Sequence, residues 1–403
     1  MSNLPSNELQ QFRAEIGVEM QLLLQWWADK MVDSNQGGFY GRIDGFNQLQ
    51  PEADKGVILN TRLLWTFSAA AQQAELSGYR QLADRAYQYL LDYFWDEKAG
   101  CVFWTLDFRG QPTQMIKQVY AQAFAIYGFT EYYALTGQTE ALERAQAIFQ
   151  LIEEHSRDRE KGGYRNVCGR HWEPLTDQRL SDKDENRAKI MNTHLHLMEA
   201  YANLHRVAPT TATANALQDC LVLMLDKFCD RHPRHLYLYF DDHWQASSAE
   251  RSFGHDIETA WLLVEAAEIL DSTALMKEVV PVALELAQST LDRGLDPRGG
   301  VYENTDHSGQ VPVAEKHWWP QAEAIVGFIQ AYQLSGEQRY WQEALKCWSF
   351  IKAHFRDSDF GEWHWMIDTN HKPILDQEDK AGPWKAPYHN VRMCLEVLRR
   401  LPE

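Results

Sequence analysis

The sequence predicts an all-α fold: an (α/α)6 barrel of six helical hairpins, with short glycine-aromatic turns or hairpins between helices, forming one domain over residues 1–403. Three observations carry that prediction. A glycine-aromatic corner recurs at near-constant spacing. The segments between corners have helical periodicity and alternate between amphipathic and all-round apolar. The first turns of the apolar segments carry polar residues drawn from every repeat.

The corners come first. They read GGFYG at Gly37, AGCVFW at Gly100, GGYR at Gly162, GGVYE at Gly299 and FGEWHW at Gly361, and neighbouring ones lie 62 or 63 residues apart. The longer gap between Gly162 and Gly299 leaves room for one degenerate copy, and RHPRHLYLYFDD at Arg231–Asp242 fills it. Each copy follows a helical segment that ends in an acidic turn: VDSNQGG, WDEKAG, RDREKGG, DRHPRH, LDPRGG, RDSDFG. Between corners, Ile58–Gln72 spaces apolar residues by three and four, and Leu82–Phe94 is amphipathic. Val119–Leu135, Leu195–Leu204, Trp261–Leu270 and Ala322–Leu334 are apolar on most sides. Helices apolar all round are buried, whereas those with a polar face lie outside. Each repeat therefore offers an outer amphipathic helix, a corner and an inner apolar helix. Closing six such units gives the barrel; an open α-solenoid has the same periodicity but needs capped ends. No Pro-, Gly- or Ser-rich linker divides the chain.

Composition narrows the function. A formal charge of -18 excludes nucleic acid and anionic membrane as partners, since both require a basic footprint. The 15 tryptophans suit sugar stacking, although most are expected to fill the core of a wide helical assembly. Cys101, Cys168, Cys220, Cys229, Cys347 and Cys394 show no C-x-x-C spacing and read as reduced thiols. MSNLPSNELQQFRAEIGVEM lacks the basic and apolar regions of a signal peptide, and no apolar run reaches the roughly 18–20 residues of a membrane span. A cytoplasmic protein is expected. The alternating faces show no clear dimer seam and leave the oligomeric state, monomer or homodimer, undecided.

The polar residues at the starts of the inner helices are Arg62, Tyr120, His194 with His196, His255 with Glu258, Glu323 and His389. In RSFGHDIETAWLL, His255 directly follows a glycine ahead of a helical run, and Glu258 lies one turn on, on the same face. Among apolar neighbours an unpaired charge is costly, so these residues are expected to converge on one wet cleft. The H-x-H pair, with His255 and His389, invites a metal reading. Residues two apart on a helix point about 200° apart, however, so both rings cannot chelate, and His194 is expected to be structural. His171, His205, His232, His235, His243, His307, His317, His354, His364 and His371 are expected to be mostly solvated in turns, and the runs RDREK and RLSDKDENR to be exposed loops.

The strings ADKGVILNTRLLWTFSA (Ala53–Ala69), NTHLHLMEAY (Asn192–Tyr201), RSFGHDIETAWLL, KHWWPQAEAIVGF (Lys316–Phe328) and GPWKAPYHNVRMCLE (Gly382–Glu396) resemble the N-acylglucosamine 2-epimerase superfamily. Within it they are most similar to the cellobiose (mannobiose) 2-epimerases. The resemblance covers nearly the whole chain, in the family's motif order. It implies cofactor-free epimerisation at C2 of a reducing-end sugar, interconverting glucose and mannose in β-1,4-linked disaccharides such as cellobiose, mannobiose and lactose. By motif match, His255 and His389 are the acid/base pair, His196 is associated with ring opening, and Arg62 lies near the sugar oxygens. Glu258 and Glu323 match glutamates that order the histidines, and Trp319 and Trp384 match sugar-stacking tryptophans. Of the adjacent pair Trp318 and Trp319, only one is expected to meet ligand. Tyr120 and Asn192 match binding positions. The family often has Cys where this chain has Ala386, a position the chemistry does not require.

The chemistry fits these residue types. Inverting C2 means removing a proton alpha to an aldehyde and returning one to the opposite face. Two imidazoles on facing walls suit that task, each acid/base group supplying about 10²–10⁴ in rate. A cationic Arg62 would stabilise the cis-enediolate between the two steps. No nicotinamide, phosphate-binding glycine loop or metal is expected. Three other readings stand: an aldose–ketose isomerase acting on free mannose, an inverting glycoside hydrolase using Glu258, Glu323 or Asp184, and a non-catalytic binding module.

Overall fold

Each acidic turn noted in the sequence marks the point where an outer helix gives way to a corner. The computed structural model describes residues 6–230, 235–247, 249–306, 308–310 and 312–402. Arg231–Arg234 of the degenerate fourth corner, with His232, and also His307, lie outside the described residues. The helices are α1 Ser6–Lys30, α2 Val57–Ala71, α3 Arg80–Tyr89, α4 Val119–Thr136, α5 Thr139–Leu151 and α6 Met191–Val207. They continue with α7 Thr211–Leu223, α8 Phe253–Ile269, α9 Thr273–Arg293, α10 Trp318–Ser335, α11 Gln338–Phe350 and α12 Tyr388–Arg400. Odd-numbered helices form the outer layer and even-numbered ones the inner. The inner helices contact one another in the order α2, α4, α6, α8, α10, α12, and α12 returns to α2, so the ring is closed and the open solenoid is excluded.

All six corners are present. The chain doubles back through single antiparallel pairings: Val32 with Phe39, Trp95 with Val102, Arg157 with Tyr164, Cys229 with Leu236, Leu295 with Val301 and Arg356 with Trp363. The fourth is the degenerate copy expected from spacing alone. In the five plain corners the leading glycine has positive φ (Gly37 80°, Gly100 70°, Gly162 79°, Gly299 105°, Gly361 78°), a region that disfavours side chains and explains the repeat's constant glycine. Helices α3, α5, α7 and α11 each overrun into a π turn just before their corner.

A second set of pairings closes the ring at the end where the inner helices begin. The strand leading into each inner helix pairs with the next repeat: Lys55 with Leu106, Lys117 with Cys168, Lys189 with Phe240, Ser252 with Asn304 and Lys316 with Ile367. Ala381 of the last repeat returns to Ile43 of the first. Along this seam runs an ion-pair ladder that the acidic turns only half announced. The corner aspartates Asp33, Asp96, Asp158, Asp296 and Asp357 pair with Lys55, Lys117, Lys189, Lys316 and Lys380 at 2.8, 3.1, 2.9, 2.7 and 2.5 Å. Four of the lysines stand two residues ahead of their inner helix, and in the fourth repeat Arg251 holds that place, within electrostatic reach of Asp230.

Inner helices begin earlier than their apolar runs suggest. α6 starts at Met191, α8 at Phe253 and α10 at Trp318, because their first turns face the lumen and carry polar residues that break the apolar pattern. Of the 15 tryptophans, only Trp104, Trp244, Trp365 and Trp384 escape full burial. All six cysteines are buried free thiols. Among the described residues no helix is long and apolar enough to cross a membrane. The histidines expected to be solvated divide differently. His171 and His243 are exposed, His235 is buried, and His205, His317, His354, His364 and His371 are half-buried, several packed against aromatic rings.

The ladder is a stability element with a direct test. Both side chains of the Lys55–Asp33 pair are 1% exposed. Removing one partner of a buried ion pair costs about 3–5 kcal/mol. Lys55→Met is expected to fall in that range by urea denaturation, and adding Asp33→Asn to it should cost less than the two single losses together.

Candidate active site

The first turns of all six inner helices face one lumen, and the chain ahead of α12 adds Trp384. Arg62 on α2 donates from Nη2 to the Tyr120 hydroxyl at 2.7 Å and from Nη1 to the Trp384 carbonyl at 3.1 Å. Its guanidinium stacks on Phe124 and Tyr388, with its carbon 4.3 and 4.8 Å from the ring centroids. Among the described residues no carboxylate pairs with it, and its Nε is buried without a partner. A buried cation in that condition is a ready site for negative charge.

Each inward histidine is held by its Nδ1. His196 Nδ1 is 2.8 Å from Glu199 Oε2, His389 Nδ1 is 2.7 Å from Glu323 Oε1, and His255 Nδ1 is 2.7 Å from Ser252 Oγ. Among the described residues no group pairs with Nε2 of these rings, which leaves that nitrogen for chemistry. Since a carboxylate accepts, His196 and His389 carry hydrogen on Nδ1 and a lone pair on Nε2. Burial pulls the His255 imidazolium down to about 4, and pulls those of His196 and His389 below the ordinary histidine value. All three are neutral at pH 7. His194 points the other way. Its Nε2 accepts from the Tyr164 backbone at 2.9 Å and its Nδ1 donates to the Ile190 carbonyl at 2.7 Å, so both nitrogens are consumed in structure.

One indole joins the two histidines matched to C2. The Trp319 ring centroid lies 4.7 Å from that of His255 and 5.5 Å from that of His389. Gly254 makes this approach possible, because a Cβ there would stand 2.4 Å from the Trp319 ring. Trp318, the neighbour, packs on Trp365 at 4.7 Å and meets His389 edge-on at 6.2 Å. The half-buried Trp384 ring sits beside Trp104 and Tyr120, with centroids 5.8 and 6.1 Å away. Asn192, in the first turn of α6 one turn before His196, has a buried Oδ1 with no partner.

Beneath the histidines lies a network that the motifs did not announce. Arg392 on α12 donates to Glu258 at 2.5 Å and Glu323 at 2.7 Å, and pairs with Glu199, whose carboxylate also takes the Tyr388 hydroxyl. One cation thus faces three buried carboxylates from α6, α8 and α10. Burial, with the Glu323 charge beside it, pushes Glu258 up; burial also raises Glu323, while Arg392 and His196 hold Glu199 down at about 2. Glu258 was expected to order a histidine. It instead bonds Arg392, and the group ordering His255 is Ser252, the N-cap of α8. Ligand atoms of Glu258, Glu323 and His389 all lie within 4.8 Å of one another, but the Arg392 guanidinium already bonds both carboxylates. Arg392 was legible in principle, since it stands three residues after His389 as Glu199 stands three after His196.

The run RLSDKDENR is not free surface. Asp184 accepts from Ser181 and from the Tyr239 hydroxyl at 2.8 Å, and Lys183 reaches Glu378, near Trp384, at 2.6 Å.

A closed ring of inner helices presenting neutral, braced imidazoles around an uncompensated arginine is the frame of an acid/base enzyme. The chain belongs to the N-acylglucosamine 2-epimerase (GlcNAc 2-epimerase) family, which it matches over residues 38–393. It is 44% identical to a cellobiose 2-epimerase of Bacteroides fragilis over 93% of this chain and 95% of that protein. It is 34% identical to a cellobiose 2-epimerase of Dictyoglomus turgidum over 94% and 96% of the two chains. The solved cellobiose 2-epimerase of Bacillus thermoamylovorans superposes with a TM-score of 0.93 at 32% identity, covering 97% of this chain and 100% of that one.

The carboxylate network predicts a pH dependence of stability. Glu258, ordinarily near 4.5, is pushed up to about 8. The stabilising contribution of its protonated form is therefore complete below its ordinary value and is lost as pH rises through about 8. Between those limits one proton held only by the folded state costs about 1.4 kcal/mol per pH unit. Over pH 6.5–8 the protein is expected to lose stability, and Glu258→Gln should flatten that slope by about this amount when urea midpoints are compared across pH.

Proposed function

We propose that the chain is a cofactor-independent 2-epimerase, interconverting reducing-end glucose and mannose in β-1,4-linked disaccharides such as cellobiose, mannobiose and lactose. The observation that carries this reading is the packing of His255 and His389 against one indole, each with Nε2 unengaged, in a lumen whose Arg62 has no counter-ion among the described residues. The names of the similar proteins support the same substrate class.

The steps follow from the braces. His196, held by Glu199, assists opening of the reducing-end ring. One histidine then takes the C2 proton on Nε2. Arg62, with Tyr120 on its guanidinium, faces the oxygens on which enediolate charge develops. The second histidine returns a proton to the opposite face. Burial keeps both imidazoles neutral, the form that accepts a proton, and the negative charge of the enediolate offsets burial for the imidazolium that forms. The two are not equivalent: a carboxylate orients His389 from behind and a hydroxyl orients His255. Trp319 and Trp384 supply stacking surfaces for the two sugar units, and Asn192 offers a free carbonyl to a hydroxyl.

The hydrolase reading requires a free pair of carboxylates, and Glu258 and Glu323 are both committed to Arg392 while Asp184 is committed to Tyr239. A decayed binding module has no use for three braced histidines. An isomerase would share the enediolate but return the proton to C1. Six buried free thiols support a reducing, cytoplasmic setting.

Cellobiose incubated in D2O and followed by NMR is expected to gain deuterium at C2 as glucosyl-mannose appears. Fructose formed from mannose with cellobiose untouched would shift the assignment to the isomerase, and glucose release to the hydrolase. His255→Ala and His389→Ala should each fold and lose at least about 10²-fold in kcat, with Arg62→Met comparable; wild-type turnover in either histidine variant would refute the two-histidine mechanism.

A further inference from the structure

Trp319 can serve both histidines only if its indole plane is fixed, and the residue that fixes it lies outside the strings that carry the family resemblance. Glu303 ends the GGVYE corner of the fifth repeat. Its Oε1 accepts from Trp319 Nε1 at 3.1 Å, and its Oε2 lies 2.6 Å from Nδ1 of His317. The corner itself is tied to the entry of α8. Asn304 pairs with Ser252, the Thr305 amide donates to the Arg251 carbonyl at 2.9 Å, and the Gly254 amide approaches the Glu303 carbonyl at 3.4 Å. One short segment therefore holds the backbone that orients His255 and the indole that packs on it.

We infer that Glu303 is a positioning residue: gripping the Trp319 indole with one oxygen and His317 with the other, it sets the ring plane between His255 and His389 against which the reducing-end sugar is held. Burial alone would raise the Glu303 carboxyl, but His317 and the Trp319 indole hold it below the ordinary glutamate value, so at neutral pH it meets the indole as an anion. A charge-assisted bond of this kind is roughly twice as strong as a neutral one. Loss of the grip removes the polar anchor of an indole that packs on Gly254 and on the rings of His255 and His389.

The inference rests on the 2-epimerase reading for its kinetic consequence, but its structural part is tested without activity. The indole N–H signal of Trp319, assigned by its loss in Trp319→Phe, is expected to shift or broaden in Glu303→Ala and to stay near its place in Glu303→Gln, which keeps an acceptor oxygen. An unmoved signal in Glu303→Ala overturns the inference whatever the enzyme turns over. In the D2O exchange assay, Glu303→Ala should lower kcat/KM for cellobiose by about 10–10²-fold. Glu303→Gln should recover most of that loss, and Glu303→Ala added to Trp319→Phe should cost nothing further. Losses that multiply in the double variant, or wild-type kcat/KM in Glu303→Ala, would refute the positioning role. Wild-type protein inert toward cellobiose would instead refute the substrate assignment, leaving the indole signal to decide this one.

Discussion

Arg392 is the constraint on which the rest of the site depends. Its guanidinium, from α12, bonds carboxylates of α6, α8 and α10, so four of the six inner helices meet at one cation. Three buried carboxylates cannot all be ionised around one positive charge without a large electrostatic cost. The arrangement settles this by dividing their roles. Glu199 stays ionised and braces His196, Glu323 braces His389, and Glu258 is driven toward its protonated form. The charge state of the network therefore reaches two histidines directly. The guanidinium also stacks on Tyr388 and Trp261, with its carbon 4.2 and 4.8 Å from their ring centroids, so aromatic faces make up for part of the hydration it has lost.

A barrel whose inner helices begin with polar turns needs something to hold those turns in register. The seam of short pairings and the Lys–Asp ladder do this at the end where the chemistry sits. Four of the lysines come from the strand that leads into an inner helix and Lys380 from the segment ahead of α12, while each aspartate comes from the corner before it, so every ion pair ties a corner to chain that runs on into an inner helix. The pairing of Ile43 with Ala381 makes the seam continuous and places the Trp384 segment against the first repeat, where the Trp384 carbonyl meets Arg62. Closure of the ring and the placing of the proposed site thus share a structural cause.

Much of this was legible in the sequence because it is periodic or local. Corner glycines recur because their backbone must take positive φ, and apolar inner helices betray themselves because nothing in them may face water. The failures share a different origin. Glu199 and Ser252 stand three residues from the histidines they hold, a spacing that does not by itself announce a bond, while Arg392 acts on Glu258 and Glu323 across the fold. Glu258 was expected by motif match to order a histidine, yet its hydrogen-bond partner is 134 positions distant. The lysine ladder escaped notice because a single lysine before a helix looks like ordinary surface, and only the corner aspartates facing it reveal that it is buried. His317, set among turn histidines expected to be solvated, pairs with Glu303 for the same reason: sequence spacing does not register a contact between a corner and the strand opposite.

The contrast between the two arginines completes the argument. Both are buried in the same lumen, yet Arg392 is surrounded by carboxylates whereas Arg62 is surrounded by rings, a carbonyl and a phenol. Burying Arg62 without a counter-ion costs stability that a carboxylate would restore. A carboxylate there would also cancel the potential that a forming enediolate needs, since a preorganised cation lowers a barrier only if its field is not already neutralised. In the proposed mechanism, the lack of a counter-ion among the described residues is what distinguishes a site for transient anions from a structural ion pair. It also explains the position of Tyr120: its hydroxyl accepts one Arg62 bond and so orients the guanidinium without discharging it.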